Sequence, residues 1–246
     1  MTYSYRPNYR LLFGGPLTPA VKALLIANTV VFCFQQLEQI AGSQQLTTLL
    51  GLVPSLVWLK MQLWRPITYL FLHGNFLHII FNLLGLYFFG PDLERLWGTR
   101  RFCRYYFVTG IGAGLCTMAV TPSSMAITIG ASGAIYGILL AYGYHYPNRI
   151  VYVYAIFPVK VKYMVLAMIL MAFFASIGGS SDGIAHWAHL GGLAIGFLYL
   201  AGGRWTETLQ RGYRRWKLDR ARRKFQVYYR RTREGGKDDE YPPTVH

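Results

Sequence analysis

The chain has 246 residues, of which 53% are hydrophobic and only 14% charged, a balance too apolar for an ordinary soluble domain. The net charge is +15, and the basic residues lie at the ends of apolar segments and in a C-terminal tail. This distribution is typical of a membrane protein with cytoplasmic basic loops, and it favours that interpretation over nucleic-acid binding. The three cysteines (Cys33, Cys103 and Cys116) have no paired spacing, so neither a disulfide framework nor a zinc motif is expected.

Six long uncharged runs predict an all-α membrane protein, a bundle of six transmembrane helices. A cytoplasmic N-terminal segment (1–19) is expected to precede the membrane domain (20–203), and a basic, partly disordered cytoplasmic tail (204–246) is expected to follow it. The predicted spans cover about residues 20–40, 66–90, 104–121, 130–146, 161–178 and 185–202.

The loops between the spans alternate in charge. Those after spans two and four are basic, whereas those after spans three and five contain no Lys or Arg and a single acid, Asp182. Because basic loops remain in the cytoplasm, both termini are predicted to be cytoplasmic. Spans two, four and six then run from the outer side of the membrane to the cytoplasmic side, so their N-terminal ends lie at the same depth, near the outer face. The expected location of this multi-pass protein is the bacterial cytoplasmic (inner) membrane, with an organelle membrane as the alternative.

A serine lies at the start of span four, in Gly130-Ala131-Ser132-Gly133. Polar residues that converge at one depth inside a membrane indicate a functional site, because isolated ones are costly there. A serine nucleophile needs an adjacent base, and the imidazole of His189, at the start of span six, is the predicted base. Taken alone, Ser132 would more simply be a helix-packing residue.

Glycines on spans four and six give a reason for these two helices to contact each other. Gly192 and Gly196 form a small-residue face on span six, and Gly133 and Gly137 form a similar face on span four. Such faces let membrane helices approach closely. They are therefore expected to bring Ser132 within hydrogen-bonding distance of His189.

An anion formed during acyl transfer needs hydrogen-bond donors. His78 and Asn82 share one face of span two at i, i+4 spacing, and the amide of Ser132 adds a donor near a helix N-terminus. Tyr136 lies one turn after Ser132, where it is expected to pack against the imidazole of His189.

Further motifs follow one another along the chain. They are Trp64-Arg65, His73, His78-x-x-x-Asn82, Glu94-Arg95-x-x-Gly98, Gly130-x-Ser132-Gly133 and Ala188-His189-x-x-Gly192-x-x-x-Gly196. This ordered set resembles the rhomboid family of intramembrane serine proteases over about residues 20–202.

The resemblance implies a Ser–His dyad, with Ser132 as nucleophile and His189 as general base and then acid. It also implies an oxyanion site formed by His78, Asn82 and the Ser132 amide, with Tyr136 supporting His189. The implied substrates are transmembrane segments of other proteins, cleaved near their outer ends, and no metal or cofactor is expected. The membrane domain is expected to contact the lipid bilayer, and the basic tail to contact anionic lipids. Nucleic acid is not an expected partner.

Several residues have simpler structural interpretations. Trp64, Arg65, Glu94 and His73 are expected to organise loops and helix ends, and Gly130, Gly133, Gly192 and Gly196 to serve backbone packing.

Asp182, seven residues before His189, is too distant along a helix to complete a triad. The His pairs could instead bind a metal, but carboxylates and cysteines are scarce beside them. The alternative functions are a catalytically silent protein of the same fold and a small-solute or metal transporter.

Overall fold

The structure is a computed structural model that describes residues 16–153, 156–177 and 183–234. The chain divides into two compact units, Met1–Tyr199 and Leu200–His246. The candidate site lies in the first unit. Asp182, most of the predicted N-terminal segment and the end of the predicted tail lie outside the described residues.

The described part of the chain is mostly helical. Its elements in order are α1 (Pro19–Ile40), α2 (Gln45–Leu50), α3 (Pro54–Lys60), α4 (Arg65–Thr68), a 3-10 turn (Tyr69–Phe71), α5 (Phe76–Trp97), α6 (Thr99–Val120), α7 (Ser132–His145), β1 (Ile150–Val153), β2 (Phe157–Lys160), α8 (Val161–Ile177) and α9 (Gly183–Glu234).

Each predicted span overlaps a long helix, but the predicted start of span two is wrong. The second span was expected from residue 66, whereas α5 begins at Phe76 and extends to Trp97. The physical reason is a cap: the Asn75 side chain accepts a hydrogen bond from the His78 backbone N–H at 2.8 Å. Residues 65–71 form α4 and the 3-10 turn instead, so His73 precedes the helix rather than lying within it.

The described chain is mostly helical, as predicted, but it also contains an element that the prediction did not include: β1 and β2 form an antiparallel hairpin between α7 and α8. β-Branched and aromatic residues dominate both strands, as in Ile150-Val151-Tyr152-Val153, and such residues favour extended backbone. The last predicted span also continues further than expected. Helix α9 runs past residue 202 to Glu234, through a segment rich in Arg and Lys, which are good helix formers.

Among the described residues, α1 and α5 are long and apolar enough to cross a membrane, and α8 is an apolar helix of shorter length. Helix α6 begins with Arg100, Arg101 and Arg104, and α7 has only 14 residues. The six-span count therefore stays a prediction.

The connection between α1 and α5 packs against α6 around a buried tyrosine. Tyr69 is 1% exposed and donates a hydrogen bond from its hydroxyl to the Gly110 carbonyl at 2.6 Å. It packs in one cluster with Leu52, Leu70 and Met118. Burial of these large side chains fixes the connection against α6, which lets the backbone of Tyr69 serve as a support for the candidate site.

A buried carboxylate joins α1, α5 and α6. Glu94, near the end of α5, accepts hydrogen bonds from the backbone N–H groups of Ala20 and Val21, each at 3.0 Å. The Thr99 hydroxyl, at the start of α6, donates to the same carboxylate at 2.7 Å. The first N–H groups of a helix have no partner within the helix, and a negative charge there is favourable. Glu94 therefore caps α1 from a different helix.

We expect Glu94→Ala to lower the free energy of unfolding by about 3 kcal/mol, because it leaves buried donors without an acceptor. The matched control is Glu38→Ala, which removes the hydrogen bond that the half-buried Glu38 carboxylate accepts from the Leu46 N–H at 2.9 Å. Titration of the detergent-solubilised protein with sodium dodecyl sulfate measures both changes. Equal losses of stability in the two variants would contradict this role for Glu94.

Candidate active site

Ser132 is the first residue of α7, and the turn before it requires a glycine. Gly130 has φ +121°, a conformation that L side chains rarely adopt. A Cβ atom there would also lie 2.6 Å from Nε2 of His78. The Gly130 N–H donates to the Tyr69 carbonyl at 2.9 Å. The turn is thus held by the α4–α5 connection and lies directly against the His78 ring.

The structure brings Ser132 and His189 together. Oγ of Ser132 lies 2.8 Å from Nε2 of His189. With its proton on Nδ1, the neutral imidazole accepts a hydrogen bond from the serine hydroxyl through Nε2. Within the part of the chain that the structure describes, the buried Nδ1 of His189 has no hydrogen-bond partner.

Tyr136 covers one face of the His189 imidazole. The two rings are nearly parallel, with centroids 4.3 Å apart and an interplanar angle of 7°. Tyr136 lies on α7, one turn after Ser132, so the helix that carries the hydroxyl also supports the imidazole. His186 is a looser neighbour, with its ring centroid 5.9 Å from that of His189 and the planes 71° apart.

Glycines allow the backbones of α7 and α9 to touch. A Cβ atom on Gly192 would lie 2.0 Å from the carbonyl oxygen of Gly133. One turn further, a Cβ atom on Gly196 would lie 2.7 Å from the Tyr105 hydroxyl and 3.4 Å from the Cα of Gly137. The helices can therefore be this close only where both lack side chains, and this approach sets the distance between Ser132 and His189.

Helix α6 completes the same junction, which the sequence pattern did not predict. Cβ atoms on Gly133 and Gly137 would lie 2.5 Å from the side chain of Ala113 and 2.8 Å from that of Thr109, both on α6. The buried Tyr105 donates from its hydroxyl to the Gly137 carbonyl at 2.7 Å. A Gly-rich stretch in α6 was the available signal, because such stretches mark close helix contacts in membranes.

His78 presents a ring nitrogen toward the turn before Ser132. Its Nδ1 accepts a hydrogen bond from the Gly74 N–H at 3.4 Å, so Nε2 carries the proton of the neutral ring. That same Nε2 faces Gly130. Asn82 is buried, and its side-chain amide donates to the His78 carbonyl at 2.8 Å. An amide group has two N–H donors, so this bond leaves one for another acceptor.

His73 packs edge-on against His78, with ring centroids 5.1 Å apart at 70°. The backbone N–H of His73 donates to Oε1 of Gln35 on α1 at 3.0 Å, and Nε2 of Gln35 donates to the Thr47 hydroxyl at the same distance. Sequence reasoning missed Gln35. Its signal was a polar side chain in an otherwise apolar run, which is costly in a membrane unless it is bonded.

Trp64 and Arg65 bond to the first loop and not to the dyad residues. The Trp64 indole N–H donates to the Leu49 carbonyl at 3.0 Å, and the buried Arg65 guanidinium donates to the Gly51 carbonyl. Both interactions tie the start of α4 to the end of α2. Among the described residues, no group of three or more His, Cys, Asp or Glu side chains could hold a metal ion.

The fold and the site together define a helical bundle with a Ser–His pair held by glycine contacts between two of its helices. A family model described as the rhomboid domain matches residues 60–205 of the chain. The chain belongs to the rhomboid family, and it is therefore a helical integral membrane protein.

Named relatives agree with this assignment. The chain is 31% identical to the rhomboid protease GluP of Bacillus subtilis (strain 168) over 186 residues, 74% of this chain and 34% of that protein. It is 33% identical to the rhomboid protease AarA of Providencia stuartii over 151 residues, 55% and 54% of the two chains. RHOMBOID-like protein 4 of Arabidopsis thaliana is 32% identical over 136 residues, which are 55% of this chain and 32% of that protein. The matches span less than two thirds of these relatives' length.

Proposed function

We propose that the protein is an intramembrane serine endopeptidase that hydrolyses peptide bonds in or near transmembrane segments of other proteins. The observation that carries the proposal is the distance of 2.8 Å between Oγ of Ser132 and Nε2 of His189. A serine hydroxyl becomes a useful nucleophile only when a base in hydrogen-bonding contact can take its proton. The rhomboid proteases among its relatives support the same chemistry.

In the proposed reaction, Ser132 Oγ attacks the scissile carbonyl carbon while its proton passes to Nε2 of His189. The tetrahedral intermediate collapses, the C–N bond breaks, and His189 returns the proton to the leaving amine. Water then attacks the acyl-enzyme ester, His189 takes a proton from it, and Ser132 leaves with that proton as the carboxylic acid is released.

The negative oxygen of each tetrahedral intermediate needs donors aimed at it. The proposed donors are the Nε2–H of His78, an amide N–H of Asn82 and the backbone N–H of Ser132 at the N-terminus of α7. Support for His78 comes from its Nδ1, which accepts from the Gly74 N–H and so leaves the proton on the nitrogen that faces Gly130.

In place of a carboxylate, we propose that Tyr136 orients the base through ring stacking. Aromatic stacking contributes about 0.5–1.5 kcal/mol beyond simple burial. Tyr136→Ala should therefore lower kcat about three- to ten-fold with KM unchanged, whereas Tyr136→Phe keeps the ring and should retain wild-type kcat. Steady-state cleavage kinetics measure both variants. Equal losses in the two would assign the effect to the hydroxyl and contradict the stacking role.

The proposal includes a topology. All six long helices of the described chain span the membrane, both termini are cytoplasmic, and the bacterial cytoplasmic membrane is the location. The basic loops after α5 and α7 support this orientation. For the tail, contact with anionic lipids stays a prediction. The sequence from residue 204 onward contains thirteen Lys and Arg against six Asp and Glu, and Trp216 packs against Tyr213 and Arg220.

The test is cleavage of a model transmembrane substrate by the purified protein in liposomes, together with labelling by a fluorophosphonate probe. We expect cleavage and covalent labelling of Ser132 in the wild type, and loss of both in His189→Ala, because the hydroxyl then has no base. If the wild type shows no cleavage and no labelling, the result favours a catalytically silent protein. Substrate-independent passage of a solute or metal across the liposome, without cleavage, would favour a transporter.

A further inference from the structure

The hairpin between α7 and α8 exposes an apolar face that the described part of the chain leaves uncovered. In the strand register, Ile150 pairs with Lys160 and Tyr152 with Pro158, so these four residues share one face. All four are exposed, and Ile150 and Tyr152 are 49% and 42% accessible. At the far end of the hairpin, Ile156 is 69% accessible, and Phe157, which lies on the opposite face, is 60% accessible.

An isolated two-stranded hairpin is marginally stable in water, and an apolar one is prone to pair with other chains. This hairpin is nevertheless held firmly at its base. The Arg149 guanidinium is paired with Asp92 of α5 and lies over the Tyr146 ring at 4.5 Å. The backbone N–H of Val161, at the start of α8, donates to the Arg149 carbonyl at 2.9 Å. The exposed face is therefore a fixed extension of the bundle.

Two observations indicate that the bilayer interface covers this face. First, β2 leads directly into α8, whose described part, Val161–Ile177, is an apolar helix of the proposed membrane domain, and a membrane-crossing helix begins at the bilayer surface. Residues just before α8 therefore lie at the edge of the membrane. Second, the exposed side of α8 is itself apolar and includes Tyr163 and Leu166, so the apolar surface of the hairpin continues into a lipid-facing one.

The charges around the hairpin complement a lipid surface. Residues 147–177 contain no Asp or Glu, and their basic residues are Arg149, Lys160 and Lys162. Lys160 is exposed on the same face as Tyr152, and the Lys162 ammonium lies 5.0 Å from the Tyr163 ring. Apolar and aromatic side chains beside lysines suit the headgroup region, where rings and alkyl chains insert and ammonium groups reach phosphate.

We infer that the β1–β2 hairpin is a membrane-interface anchor. Its apolar residues insert at the headgroup level of the leaflet in which α7 ends and α8 begins, and Lys160 and Lys162 contact anionic headgroups there. The inference rests on membership of a membrane-protein family and is independent of catalysis. Because the hairpin leads directly into α8, the anchor holds that end of α8 at a fixed depth.

The test compares two labelled positions in the full chain. In a background with Cys33, Cys103 and Cys116 replaced by Ala, Tyr152→Cys reports on the hairpin. Arg100→Cys is the matched control, since Arg100 is exposed at the start of α6, at the same end of the bundle. Each thiol receives a nitrobenzoxadiazole fluorophore. The protein is reconstituted in vesicles of phosphatidylcholine and phosphatidylglycerol, with iodide on both sides of the membrane.

At position 152 we expect strong quenching by lipids that carry a nitroxide near the headgroup, and iodide quenching several-fold weaker than at position 100. Equal iodide quenching at the two positions would overturn the inference. Shielding at position 152 that is lost when the protein is diluted in lipid would indicate a second copy as the partner and would also overturn it.

A second arm tests the charges. With Lys160→Gln and Lys162→Gln together, nitroxide quenching at position 152 should fall in the anionic vesicles and stay constant in pure phosphatidylcholine. An equal change in both lipids would contradict the contact with anionic headgroups. The elution profile of every variant in detergent, compared with that of the wild type, verifies that the fold is retained.

Discussion

Ser132→Ala is expected to lower the rate of substrate cleavage by at least about 10⁴-fold. The reason is that the variant removes the oxygen that forms the acyl-enzyme, which is the hydroxyl oxygen at 2.8 Å from Nε2 of His189. The fold should be unaffected, since alanine is a small residue at the start of α7. The measurement is single-turnover cleavage of a transmembrane substrate in liposomes.

Ser176→Ala is the matched control for this experiment. Ser176 lies in α8 and donates its hydroxyl to the Ala172 carbonyl of its own helix at 2.7 Å, a common arrangement for serines in membrane helices. Its removal should leave cleavage within about two-fold of wild type, because surface and helix-internal changes of this kind cost little. Persistent cleavage in Ser132→Ala would reject Ser132 as the nucleophile.

Gly192→Ala is expected to reduce both activity and stability, although position 192 takes no part in the proposed chemistry. The added methyl group would lie 2.0 Å from the carbonyl oxygen of Gly133, and a backbone atom cannot move aside by changing rotamer. Helices α7 and α9 must then separate. A displacement of about 1 Å at the reacting groups costs about 10²-fold in rate, and overpacking costs about 1–3 kcal/mol of stability.

The control for this prediction is Gly202→Ala, also in α9, where the new methyl group would meet no atom within 4 Å. It should keep full activity and gain up to about 1 kcal/mol, since alanine is the better helix former. Cleavage kinetics and unfolding in sodium dodecyl sulfate measure both variants. Wild-type activity in Gly192→Ala would mean that the helices tolerate separation, and that glycine contact does not set the distance between Ser132 and His189.

Much of the architecture could be predicted from the sequence because the signals are local. Apolar runs identified the long helices, and the cost of polar groups in a membrane singled out Ser132, His78 and His189. Errors arose where local signals compete. The apolar content of residues 66–75 suggested a continuous span, but the cap at Asn75 starts α5 ten residues later. The β-branched residues of the hairpin form strands within a chain of helices.

Sequence alone determined which residue types the chain carries and at which helix ends they lie, because helix formation depends on neighbours along the chain. Only the tertiary structure decided which of them meet. Ser132 and His189 are separated by 57 positions, and their hydrogen bond depends on the contact between Gly133 and Gly192, on the support of α6, and on the turn at Gly130. Such distances follow from how helix surfaces pack, and a one-dimensional pattern of residues does not specify them to within a hydrogen bond.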